Sequence, residues 1–173
     1  MPSSRPARAG LLGLLWLLGS ATACTVAGSR PALSGAFATP ETAAEAVLLG
    51  VWQKDTAQLT AIAVGEHEFR DLVWPRLPAS RPEVGMPVEY LWTDQRTKSL
   101  AHLGRLLARH GGTRFTFVSL GFRGAVSDYG TFRIHRETWL ALRDASGTRH
   151  ELRWFGSMIE SPDGWKIYSY IID

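Results

Sequence analysis

The chain is predicted to fold as an α+β domain, with N-terminal helices packed on a curved antiparallel sheet. Two observations predict this. Residues 39–110 carry helix starts, helical spacing of apolar side chains and a Gly111-Gly112 stop, and after Gly112 the texture turns to aromatic and β-branched runs parted by turn residues. Thr39-Pro40-Glu41 opens the first helix, because threonine caps, proline suits the first turn and glutamate sits at the positive end of the dipole. Its buried stripe is expected at Ala43, Val47 and Val51, with Trp52 joining it. Asp55 is expected to cap a short helix running through Leu59 and Ile62, and Glu66 to Val73 to form a third element ended by Pro75 and Pro78. After a loop over 79–87, a longer helix from about Thr93 to His110 is expected to bury Leu100, Leu103, Leu106 and Leu107.

Four strands follow over 113–122, 131–143, 149–160 and 165–172. Ala145-Ser146-Gly147 and Pro162-Asp163-Gly164 both suit three-residue hairpin loops with glycine in the left-handed position. Those loops set Asp144 opposite Thr148 and Ser161 opposite Trp165. The implied register puts Ile134, Arg136, Thr138, Leu140, Trp154, Gly156, Met158, Tyr168 and Tyr170 on one face, and Phe155, Ile159, Ile167 and Ile171 on the other.

Ahead of the domain, residues 1–23 read as a signal peptide: Arg5 and Arg8 without an acid, the apolar run Leu11 to Leu18, then small residues up to Ala23. The apolar run is far shorter than the roughly 20 residues a membrane-spanning helix needs. Residues 24–38 read as an anchoring cysteine and a flexible tether, and 39–173 as a single domain of ordinary size. Of the 19 lysines and arginines, Arg5 and Arg8 belong to the signal, which leaves 17 basic side chains against 16 acidic ones. That balance is no nucleic-acid footprint. Cys24 is the sole cysteine, so no internal disulfide is available and packing, with the six of seven tryptophans that lie beyond the signal, must hold the fold.

Ala21-Thr22-Ala23-Cys24 resembles the lipobox of bacterial lipoproteins, with alanine at position 21 where leucine is usual. The resemblance implies acylation of Cys24 and an exported protein held on a cell-envelope membrane. The same residues also fit an ordinary secretory cleavage site, which would release a soluble protein.

The opening helix Pro40-Glu41-Thr42-Ala43-Ala44-Glu45-Ala46-Val47, the Lys54-Asp55 step and the closing Asp163-Gly164-Trp165-Lys166-Ile167 strand together resemble the nuclear transport factor 2-like superfamily. This is the cone-shaped fold of ketosteroid isomerase, scytalone dehydratase and polyketide cyclases, and the likeness covers residues 39–173. It implies a pocket between the helices and the concave sheet face. Arg136, Trp154, Tyr168 and Tyr170 are the candidate ligand-binding residues there, with Arg136 beside the open space of Gly156 as a place for a small anion. Core filling and outward snorkelling are the competing readings of these side chains.

No catalytic residue is assigned. Asp71, Glu89 and Asp94 are the nearest acids by position, and they read as solvated. His67, His102, His110, His135 and His150 lack paired metal-ligand spacing, so neither a metal nor a cofactor is expected. The expected function is a membrane-tethered, non-catalytic domain that binds a small ligand or an envelope protein; the alternative is a small isomerase or dehydratase of an exported metabolite. Phe155, Ile159, Ile167 and Ile171 are expected to form an exposed patch through which a homodimer assembles.

Overall fold

The computed structural model describes residues 31–172. Thr39 caps α1 (Pro40–Gln53) as expected, its side chain accepting from the Thr42 N–H while the Thr42 hydroxyl accepts from the Thr39 N–H. Ala43, Val47 and Val51 are fully buried; Trp52 departs from the expectation and stays 40% exposed. Lys54 ends the helix in the left-handed conformation, and Asp55 caps α2 (Thr56–Ile62) through the Gln58 N–H. α3 (Glu66–Glu68) runs into a π turn over Phe69–Val73 and then into 3-10 turns at Trp74–Arg76 and Pro78–Ser80, where the prolines forbid a continuing helix. α4 (Val88–His110) starts earlier than the sequence indicates, burying Trp92, Leu103 and Leu106, while Leu100 faces solvent.

Two antiparallel sheets follow. One is ordered β1-β4-β5, from β1 (Thr116–Phe122), β4 (Thr138–Arg143) and β5 (Arg149–Leu152). The other is ordered β2-β3-β6-β7, from β2 (Val126–Asp128), β3 (Arg133–Arg136), β6 (Ser157–Ser161) and β7 (Gly164–Ser169). Helices and sheets together make the α+β class expected. Two of the expected long strands are each broken into two, 131–143 into β3 and β4 and 149–160 into β5 and β6, and the breaks carry the chain from one sheet to the other. The sharpest is at Glu137, the single residue between β3 and β4, which has φ 53°.

The breaks correct the register. Asp144 does pair with Thr148 around a three-residue loop, its N–H bonding the Thr148 carbonyl at 3.1 Å. Beyond the β4-β5 pairing, however, Arg136 stands opposite Ser157, not Gly156, because the partner strand takes five residues from Leu152 to Ser157 where this one takes four from Leu140 to Arg136. At the last hairpin Ser161 pairs with Gly164, so the loop is the two residues Pro162 and Asp163. Gly164 has φ 123° and is crossed by the Phe37 carbonyl so closely that a side chain there would collide. A second irregularity, between Ser157 and Met158 in the pairing, leaves Tyr168 as the unmatched residue of β7.

The β2-β3-β6-β7 sheet is buried on both faces. Met158 and Ile167, directly opposite each other, join a core with Val47, Leu59, Leu103, Leu140 and Tyr170; Ile134 and Ile159, also opposite each other, join a second core with Phe69, Val73, Trp92 and Phe132. The expected exposed patch therefore does not exist: Phe155, Ile159 and Ile167 are all fully buried within one chain and Ile171 is half-buried. Dimerisation through that face has lost its motive.

The stretch read as tether is, over its described part, docked on the domain. Leu33 is buried and donates its N–H to Asp163, and Phe37 and Trp165 exchange backbone hydrogen bonds at 2.8 Å. Glu68 takes the Ser34 N–H at 2.7 Å, the Ser34 hydroxyl at 2.9 Å and the Gly65 N–H at 2.7 Å, and Lys166 Nζ lies 2.9 Å from both of its carboxylate oxygens. Burial works to raise the Glu68 pKa, but the Gly65 N–H, Lys166 and Ser34 together hold it below the usual carboxylate range.

Candidate functional site

The four side chains expected to share a pocket are dispersed. Tyr168 and Tyr170 line a cleft against α4 with Gln95, Ser99 and Leu103, but its free volume is about 30 Å³, room for one water molecule. The polar stripe of α4 is already committed there. Gln95 accepts from the Tyr168 hydroxyl at 3.3 Å, Ser99 Oγ takes the Tyr170 N–H at 3.0 Å, and His102 Nδ1 takes the Ile172 N–H at 3.3 Å. The three α4 positions, spaced four and three residues apart on one face, replace a neighbouring strand for the end of the chain. The Tyr170 hydroxyl donates to the Leu59 carbonyl at 2.8 Å. Burial pushes the Tyr168 phenol up to about 12 and raises Tyr170 too, so both are neutral hydrogen-bonding core groups.

Trp154 lies between β5 and β6 in the first core, 2% exposed, with the Phe115 ring at 5.4 Å and the His110 ring at 5.5 Å. Its indole N–H is buried without a hydrogen-bond acceptor among the described residues. Arg136 is exposed and lines a separate cleft of about 100 Å³ with Glu137, Arg153, Gly156 and Ser157. Arg136 and Gly156 line the same cleft, but Arg136 is opposite Ser157 and not Gly156 as expected. The space left by the missing Gly156 side chain is nonetheless taken by the Ile171 carbonyl. Cys24, the expected lipid attachment, lies outside the described residues.

Two His–carboxylate pairs are built into strands and turns. His150 Nε2 lies 2.7 Å from Asp144, whose carboxyl also holds the Ser146 hydroxyl and the Ser146 and Thr148 N–H groups, so the pair closes the β4-β5 turn. The Ser146 hydroxyl and His150 hold the Asp144 carboxyl well below its usual range. His135 Nε2 lies 2.8 Å from Glu160, with the Phe122 and Trp165 rings 4.8 and 4.7 Å from the imidazole.

The feature that sequence reasoning missed is a groove of about 220 Å³ between α1 and β1, lined by Glu45, Leu48, Leu49 and Trp52 on one wall and Arg114, Phe115 and Phe117 on the other. The α1 residues stand at i, i+3, i+4 and i+7 and so share one helix face. Leu49 and Trp52 are 43% and 40% exposed, and Val118 on β1 is 37% exposed. The Arg114 guanidinium lies 4.9 Å from the Trp52 ring centre. The Leu48-Leu49 pair was the available signal, since it widens the apolar surface of α1 past the narrow stripe of Ala43, Val47 and Val51.

No family model, curated protein or solved structure matches the chain. No helix among the described residues is long and apolar enough to cross a membrane.

Proposed function

We propose that this protein is a membrane-tethered, non-catalytic domain of the bacterial cell envelope that docks a second envelope protein in the groove between α1 and β1. The observation that carries this reading is the groove itself: two large apolar side chains of α1 stand open to solvent beside a strand edge, and exposed apolar surface of this kind marks sites of protein contact. Small-molecule sites run to roughly 300–1,000 Å³, whereas the cleft under α4, where a pocket of the cone fold was expected, holds about 30 Å³. That contrast favours a protein partner over a small ligand. The helix-first order and the meander bent at Glu137 support reading the domain as a nuclear transport factor 2-like cone. The signal pattern ahead of Cys24 supports the lipid tether.

Photo-crosslinking in cells tests the docking. A crosslinking residue in place of Trp52 should yield one discrete protein adduct, and the same residue in place of Tyr90, exposed on α4 away from the groove, should not. Identical products from both positions, or none from position 52, reject the reading. Replacing Cys24 with Ser should move the protein from membrane to soluble fractions; a wild-type protein that is soluble and unacylated rejects the tether.

A further inference from the structure

Among the described residues the two sheets end in four strand edges, and three of them are blunted. β7 is sealed by Phe37, by the Val64 N–H on the Ile167 carbonyl at 2.9 Å, and by Ser99 beyond the strand. β2 has three residues and ends in Asp128, and β5 has four and carries Arg149 and Glu151. Shortness and charge are the usual means of stopping a strand edge from pairing. β1 is the exception. It is seven residues long, reads Thr-Phe-Val-Ser-Leu-Gly-Phe without a charge or a proline, and pairs only with β4. The Arg123 N–H donates to the Glu137 carbonyl across the strand, so by alternation Ser119 and Gly121 face β4 while Leu120 and Phe122 turn their N–H and carbonyl groups to the open edge. A bulge at Val118 interrupts the β4 ladder once.

The charges beside this edge select the occupant. The neutral run is bracketed by Arg114 and Arg123. In a second copy paired antiparallel about a two-fold axis between Val118 and Ser119, each Arg114 would face the other copy's Arg123, and like charges opposite one another oppose pairing. Arg123 is already matched by Glu151 at 2.8 Å and stacks on Trp139 at 4.2 Å. Arg114 has the Trp52 ring and no acidic partner among the described residues.

We propose that β1 is a docking edge that takes an extended segment of another polypeptide as an added strand, with a neutral β-branched centre and an acidic residue set against Arg114. Main-chain hydrogen bonds to Leu120 and Phe122 would supply affinity, and the Leu49, Trp52 and Phe117 surface would receive the side chains on one face of the segment, with exposed Val118 beside those on the other. This rests on the groove being the partner site, as argued above.

The probe is a capped synthetic peptide, Glu-Thr-Val-Thr-Val-Thr-Val-Glu, compared with the same peptide carrying Lys in both Glu places, titrated into the full chain in detergent. The acid-ended peptide is expected to bind about tenfold or more tightly than the lysine-ended one and to slow amide exchange at Leu120 and Phe122. Arg114→Glu should reverse the preference, and Val118→Lys should weaken binding of both peptides. Both positions lie at the surface, and circular dichroism checks that the variants fold. No binding, no dependence on Arg114, or protection elsewhere than β1 overturns the proposal. So does sedimentation of the free chain as a dimer that Val118→Glu dissociates, which would make a second copy the occupant. Crosslinks from position 52 without protection of Leu120 and Phe122 keep the groove and reject strand addition. Peptide binding at β1 without crosslinks in cells keeps the edge and rejects the envelope partner.

Discussion

Glu68→Gln tests whether the Glu68–Lys166 pair clamps the entering chain onto the domain. Both side chains are nearly inaccessible, at 8% and 3% exposure, so the ammonium left by the substitution has no solvent to replace its partner. Breaking a buried pair from one side typically costs about 3–5 kcal/mol, and at about 2–4 °C per kcal/mol for a domain of this size the melting temperature should fall by roughly 6–20 °C. Lys166→Met should cost less, about 2–3 kcal/mol, because the carboxylate keeps its three other hydrogen bonds from Ser34 and Gly65. The double variant should be more stable than Glu68→Gln alone, since it removes the stranded charge. Urea and thermal unfolding followed by circular dichroism at pH 7 measure all three. The Glu68 pKa is lowered from 4.5 on folding, so its contribution is complete above about pH 4.5 and is lost as pH falls through the depressed value; the gap between wild type and Glu68→Gln should narrow in acid. If the two single effects simply add, or each is below about 1 kcal/mol, the clamp is not a coupled buried pair.

Tyr170→Phe strips the Leu59 carbonyl of its buried donor and should cost about 1–2 kcal/mol in the same urea assay. Gly156→Ala drives a methyl into the Ile171 carbonyl and should destabilise by about 2 kcal/mol or more, while Gly121→Ala, where a new side-chain carbon meets open space, should be nearly neutral. Burial, then Arg109 and His150, lowers the His110 pKa from 6.5, so stability should be complete above pH 6.5 and decline as pH drops from there to the depressed value; His110→Phe should flatten that slope.

Much of the fold was legible because its signals are local. The Thr39 cap, the Asp55 cap, the Gly111 stop and the Asp144–Thr148 turn each depend on residues within a few positions of one another, and all appear where the sequence places them. The candidate groove was not legible, because α1 and β1 are separated by some sixty residues and the exposure of Trp52 depends on what stands across from it. Apolar spacing marks a helix face as apolar without saying whether anything covers it.

Sequence alone thus determined the α+β class, the order of helices before strands and the ends of α1 and α2, because capping, helical period and turn chemistry are settled by neighbours along the chain. Tertiary structure decided which face each strand buries. The additional residue between Leu152 and Ser157 and the two-residue turn before Gly164 each shift the pairing by one, and such a shift exchanges the faces of the residues beyond it until a second irregularity, like the one at Tyr168, restores them. Those choices answer to partners far away in sequence, the Phe37 carbonyl crossing Gly164 and the Ile171 carbonyl crossing Gly156, which exist only once the chain has closed on itself.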